Sequence, residues 1–227
     1  MRKTLTLATF LLCTVAMYAQ KDVTKFLGIP VDGSKAEMIQ KLKAKGFTSH
    51  PENEDVLTGE FNGSNVNIFV LTNNNKVWRI GIRDIYPQKK INIKMNFNKL
   101  CLQFMNNKKY IPASTRNYLI PEKEDISYGI LVDNKKYDAG FYQLPYSVES
   151  FEIQQELQSF YMSKYTEEQI SNLTEKQKSE IIAEFFSYLR EKYSKKLVWF
   201  SISEDTGEYY INIFYDNVYN QSNGEDL

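Results

Sequence analysis

Residues 61–84 read FNGSNVNIFVLTNNNKVWRIGIRD. Asn62-Gly63 is a hairpin signal, because both positions of a two-residue turn need positive φ and Asn and Gly tolerate it. From Asn65 to Thr72 the residues alternate, with Val66, Ile68 and Val70 on one face. Asn73-Asn74-Asn75 reads as a second turn, followed by Val77–Asp84 with Trp78, Ile80 and Ile82 on one face. A three-residue loop then pairs Val70 with Trp78, Ile68 with Ile80 and Val66 with Ile82. A slip of one residue would carry every apolar side chain to the wrong side. Two tight reversals with matching greasy faces predict an antiparallel meander.

Upstream, Ser34-Lys35-Ala36-Glu37 has the form of a capping box, in which the Ser hydroxyl and the Glu carboxylate satisfy orphan amides at a helix start. Met38, Ile39 and Leu42 form the stripe behind it, and Gly46 supplies a left-handed stop. Downstream, Ile93, Phe97, Leu100, Cys101 and Phe104 recur at helical spacing in a run without turn formers. Past Pro112 and Pro121, Ile126–Val132 and Tyr137–Gln143 read as a hairpin around Asn134-Lys135, with Val132 facing Tyr137, Ile130 facing Ala139 and Tyr128 facing Phe141. Residues 148–163 carry an imperfect helical stripe. Thr166-x-x-Gln169 and Thr174-x-x-Gln177 are further capping boxes, the second opening a helix with Ile181, Ile182, Phe185, Phe186, Leu189 and Tyr193. Leu197–Ser203 and Glu208–Tyr215 make a last hairpin in which Val198, Phe200 and Ile202 meet Ile213, Ile211 and Tyr209.

The expected class is α+β: helix-plus-antiparallel-hairpin units in tandem, their strands forming an antiparallel sheet packed on helices. The unit boundaries read as 20–87, a helix with a three-stranded meander, 88–145, a helix with a hairpin, and 146–227, a helical pair with the C-terminal hairpin.

The first 19 residues read differently. Met1-Arg2-Lys3 is a basic start, 4–17 (TLTLATFLLCTVAM) an apolar run, and Ala19 a small residue at a cleavage point, the pattern of a signal peptide over 1–19. That predicts an exported protein, periplasmic or extracellular. Lipidation of Cys13 would attach it to the outer membrane instead. No later run reaches the roughly 20 apolar residues that a spanning helix needs.

Composition narrows the chemistry. The 227 residues hold 28 Lys+Arg against 28 Asp+Glu, 42% hydrophobic and 14% aromatic residues. A chain this apolar is not disordered, and it has no charge excess to grip a nucleic-acid backbone. His50, the one histidine, sits in Thr48-Ser49-His50-Pro51, read as an exposed loop. Cys101, on a helical stripe, reads as a buried inert thiol. The acidic run Glu52–Asp55 reads as a solvated loop rather than a calcium site. Neither a G-x-S-x-G elbow nor a G-x-G-x-x-G turn nor a zinc-type spacing occurs. No catalytic residue, metal ligand or cofactor is assigned.

One constellation stands out. The final hairpin turns Trp199, Ser201, Tyr210, Asn212 and Phe214 away from its greasy side. Rings beside small polar groups are what binding surfaces use, since rings give large contact area at small entropy cost. A face covered by a helix is the competing explanation.

The strings FLGIPVDGSKAEMIQKLKAKGF, LTGEFNG, TNNNKVWRI, NKLCLQF around Cys101, KYTEEQ and NGEDL resemble a family of secreted proteins of gut-dwelling Gram-negative bacteria, uncharacterised as to activity. The helix-then-hairpin layout is also similar to the repeats of β-lactamase-inhibitor-like proteins and of small outer-membrane-assembly lipoproteins. The expected function is therefore an exported, non-enzymatic binding protein that uses a sheet face on a protein or glycan ligand. The alternatives are a glycoside or cell-wall hydrolase with a carboxylate pair, and an outer-membrane accessory lipoprotein.

Overall fold

A computed structural model of the chain describes residues 22–222 and 224. The signal peptide expected over 1–19, Cys13 and most of the NGEDL string lie outside the described residues.

A small two-stranded ribbon comes first, β1 (Lys25–Phe26) and β2 (Ile29–Pro30). Helix α1 (Lys35–Lys43) follows, closed by the Ser34/Glu37 capping box and burying Met38 and Leu42. Four strands come next: β3 (Thr48–His50), β4 (Asn53–Phe61), β5 (Ser64–Asn73) and β6 (Lys76–Asp84). Then come helix α2 (Lys90–Asn106), strand β7 (Tyr110–Pro112), helix α3 (Ile126–Leu131) and strand β8 (Asp138–Gln143). Helices α4 (Phe151–Met162), α5 (Glu167–Ser171) and α6 (Glu175–Lys192) lead into β9 (Leu197–Asp205) and β10 (Glu208–Asp216). A short 3₁₀ turn at Val218–Asn220 closes the described chain.

The class is α+β, and eight strands form one antiparallel sheet in the order β3-β4-β5-β6-β10-β9-β8-β7. The order is symmetric about the β6–β10 pair. Each half is a helix followed by four strands that run from an edge of the sheet to its centre. The strands of the expected three units thus merge into one sheet of two halves. The second half carries α3 and the α4–α6 group as insertions between its strands.

The reading of 126–143 as a hairpin is corrected. Residues 126–131 are helix α3, because the Asp125 carboxylate accepts from the Ser127 and Tyr128 amides at 3.0 and 3.1 Å and starts a helical turn. Ile126 and Ile130, four apart, face the core, while Tyr128, Leu131 and Val132 are exposed. Gly129 admits the Tyr137 ring, since a Cβ there would lie 2.2 Å from its hydroxyl oxygen. Strand β8 takes its partners from far along the chain: Ala139 pairs with Phe200, and Phe141 with Val198.

Two registers also differ from expectation, each by two residues. The β5–β6 turn is the pair Asn74-Asn75, at φ 48° and 59°, and Asn73 pairs with Lys76. A bulge at Leu71/Thr72 then brings Ile68 opposite Ile82 and Val70 opposite Ile80. Because of that bulge Val77, not Trp78, enters the core. The β9–β10 turn is likewise two residues, Thr206-Gly207, at φ 53° and 84°, which sets Phe200 opposite Ile213 and Ile202 opposite Ile211. Apart from Val77 and Trp78, which the bulge exchanges, the shift by two keeps each side chain on its face.

The main core lies on one side of the sheet. There α1 and α2 pack Met38, Leu42, Ile93, Phe97, Cys101 and Phe104 on Ile68, Ile80, Phe141, Phe200 and Ile213. Phe104 stacks on Phe141 with ring centres 5.0 Å apart, and Phe97 meets Phe200 edge-on at 5.2 Å. Burial pushes the Cys101 thiol up to about 12. On the other side, α4 and α6 build a second core over β7 and β8, with Ile153, Phe185 and Leu189 around Ile111 and Leu144.

Candidate binding surface

Strands β5, β6, β10 and β9 alternate between core residues and half-exposed ones, so their second side forms an open face beside the α4–α6 pair. The pairing register arranges that face in rows across the strands. One row is polar: Thr58, Asn67, Arg83, Asn212, Ser201 and Asp138, each beside the next on neighbouring strands. The row two residues along is apolar: Val56, Phe69, Gly81, Phe214, Trp199 and Gly140. All five residues singled out in the last hairpin lie on this face. Trp199 is opposite Phe214, Ser201 opposite Asn212, and Tyr210 opposite Ser203.

The apolar row is held rigidly. Phe214 leans over Gly81, where a Cβ would sit 3.6 Å from its ring. Trp199 packs on Phe214 with ring centres 4.3 Å apart. The Trp199 indole N–H donates to Asp216 Oδ2 at 2.9 Å, and Arg79 clasps the same carboxylate through Nε and Nη2 at 2.6 and 2.8 Å. The Arg79 guanidinium in turn lies 4.3, 4.7 and 5.2 Å from the rings of Trp78, Phe214 and Trp199. Such charge-assisted, bidentate contacts fix ring positions before any ligand arrives.

In the polar row, Asn212 Nδ2 donates to Ser203 Oγ at 2.8 Å. Arg83 lies 3.9 Å over the Tyr210 ring and has no ion pair among the described residues. Asn67 Oδ1 is buried without a donor. At the row's end Asp138 is paired with Arg116.

Sequence reading did not reach Asn67, Phe69, Arg79, Arg83 or Asp216. Alternation in 65–84 already sets the first four opposite the core residues of their strands, and that signal was legible. What was not legible is that β6 lies beside β10, which brings them to the same surface.

The other sequence candidates are placed as follows. His50 ends edge strand β3 rather than lying in a loop, and its Nδ1 accepts from the Glu52 amide at 3.2 Å. The short β3–β4 reversal draws it into the ladder. Asp55, from the acidic run, pairs with Lys35 at 2.9 Å. No cluster with metal-binding composition occurs among the described residues.

On the core side, between α2 and the β4–β5 turn, a cleft of about 280 Å³ contains Asp84, Gln88, Asn96, Lys99 and Gln103. Burial raises the Asp84 carboxyl above its ordinary range, against the opposing hydrogen bonds from Gln88 Nε2, at 2.7 Å, and the Ile211 amide. Among the described residues Asp84 is the one carboxylate lining that cleft. Glu124 and Asp125, which line a separate hollow, are held below the ordinary range by hydrogen bonds, chiefly from Lys135 and Lys90.

With that geometry in hand, comparison adds no relative. No family model, curated protein or solved structure matches this chain. Its own surface chemistry carries the functional reading. No helix among the described residues is long and apolar enough to cross a membrane.

Proposed function

We propose that this is an exported binding protein whose outer sheet face, centred on Trp199, Ser201, Tyr210, Asn212 and Phe214, holds an extended protein or glycan ligand. The observation that carries the reading is the locked Trp199–Phe214 pair beside an in-register row of amides, hydroxyls and a guanidinium. A stable fold can leave such a surface to water. Yet preorganised rings lower the entropy cost of association, and they make the anchors that binding surfaces concentrate at their centres. A flat face also suits an extended ligand better than a small molecule, which needs a concave pocket. The hydrolase alternative has less support, because Asp84 is the one carboxylate lining its cleft among the described residues, and of Glu122, Glu124 and Asp125 in the second hollow the last two are salt-bridge partners. Export rests on the basic-apolar start of the sequence, and the accessory-lipoprotein alternative rests on Cys13 there.

The test is affinity electrophoresis and surface binding against a panel of polysaccharides and envelope proteins, with Trp199→Ala and Tyr210→Ala beside wild type. Retention that these variants lose, with circular dichroism and unfolding midpoint preserved, is the expected result. Equal retention of Trp199→Ala on every ligand that holds the wild type would refute the face as the site.

A further inference from the structure

We infer that the ligand of this face is an acidic glycan, a chain of sugars bearing carboxylates, laid across the strands along the polar row. The inference rests on the binding role proposed above for the same face. Three observations carry it.

The first is spacing. Thr58, Asn67, Arg83, Asn212 and Ser201 sit on successive strands in exact lateral pairing. Their hydrogen-bonding groups therefore repeat at the strand separation, about 4.8 Å. That is close to the length of one sugar ring in an extended glycan.

The second is charge. The Arg79 and Arg116 guanidinium groups are neutralised by Asp216 and Asp138. Among the described residues Arg83, in the middle of the row, keeps its donors uncommitted and is steadied by the Tyr210 ring. A planar guanidinium with a free fork matches a carboxylate in two parallel hydrogen bonds.

The third is the neighbourhood of that cation. Asn67, directly beside Arg83, has a buried carbonyl oxygen with no donor. Leaving such an acceptor unmade costs free energy. The parallel row of Phe69, Phe214 and Trp199 gives the apolar flank of a sugar ring a surface to lie on. Acid, hydroxyl and apolar edge within one ring-length are the features of a uronic acid.

The experiment measures binding of the described protein to immobilised polygalacturonate and to the same polymer fully methyl-esterified, which keeps the backbone and removes the charge. Wild type, Arg83→Gln, Arg83→Lys and Trp199→Ala are compared, each checked for fold by circular dichroism. Wild type is expected to prefer the free acid and to weaken as ionic strength rises. Arg83→Gln should bind the free acid at least about tenfold more weakly, with Arg83→Lys in between, and should lose most of the preference for the acid over the ester. If wild type binds acid and ester alike, or Arg83→Gln is indifferent, while Trp199→Ala still abolishes binding, the acidic ligand is overturned and the binding face stands. If no polysaccharide is held, the glycan is overturned, and protein capture that depends on Trp199 then decides whether the face itself survives.

Discussion

Asp216→Asn tests the network that holds the face. In the native protein the Asp216 residue is 7% exposed, and its carboxylate takes three donors, two from Arg79 and one from Trp199. The Arg79 side chain is 19% exposed. Removing one partner of a buried pair costs about 3–5 kcal/mol, because the other charge is left desolvated. Arg79 keeps some water and three ring contacts, and the asparagine carbonyl still accepts one bond. The cost should therefore fall at or just below the bottom of that range, about 2–3 kcal/mol. With a urea m-value of about 2 kcal/mol per molar, the midpoint drops by about 1–1.5 M. Urea unfolding followed by far-ultraviolet circular dichroism is the assay, since Trp78 and Trp199 both touch the cluster and would bias a fluorescence readout. The paired variant Arg79→Met/Asp216→Asn removes the stranded charge. It should cost less than the sum of the two single changes, with a coupling of at least about 1 kcal/mol. A loss under 0.5 kcal/mol for Asp216→Asn, together with additivity in the double variant, would refute the claim that this ion pair organises Trp199 and Phe214.

Other consequences follow from the same packing. Phe200→Ala empties a site shared by the rings of Phe97, Phe104 and Phe141 and should cost about 3–5 kcal/mol in equilibrium unfolding. Asp125→Ala removes the acceptor for the Ser127 and Tyr128 amides and should loosen the start of α3, with amide exchange rising there first. Burial holds the Asp84 proton more tightly in the folded protein than in the unfolded one, so its ionisation opposes folding. Stability should then decline as pH rises from the unfolded carboxyl value, about 3.9, through the raised folded one, and Asp84→Asn should flatten that part of a pH–stability curve. Cys101, buried and with its thiol pushed up to about 12, should resist thiol reagents at neutral pH until the protein unfolds.

Much of this architecture was written in local pattern. Asn62-Gly63 and Thr206-Gly207 specify reversals through positive φ, and the Ser34, Thr166 and Thr174 boxes specify helix starts through side-chain bonds three residues away. Alternation in β5, β9 and β10 assigned each residue to a side of the sheet, and that assignment survived two-residue register errors because side chains repeat every two residues. Within one hairpin, then, the sequence by itself placed Trp199, Ser201, Tyr210, Asn212 and Phe214 together.

Only the tertiary structure decided which strands became neighbours. Ile126–Val132 satisfies a two-residue alternation and also sets Ile126 and Ile130 one helical turn apart. The Asp125 cap and the seat of β8 on distant β9 resolved that ambiguity toward helix. Likewise Arg83 and Asn212 are separated by more than half the chain, and their adjacency exists because β6 and β10 close the centre of the sheet. Periodicity encodes which way a side chain points; it carries no information on which far segment will lie alongside. That is settled by burying the apolar sides of two four-stranded halves beneath α1 and α2 at once, and the open face is what that choice leaves to the solvent.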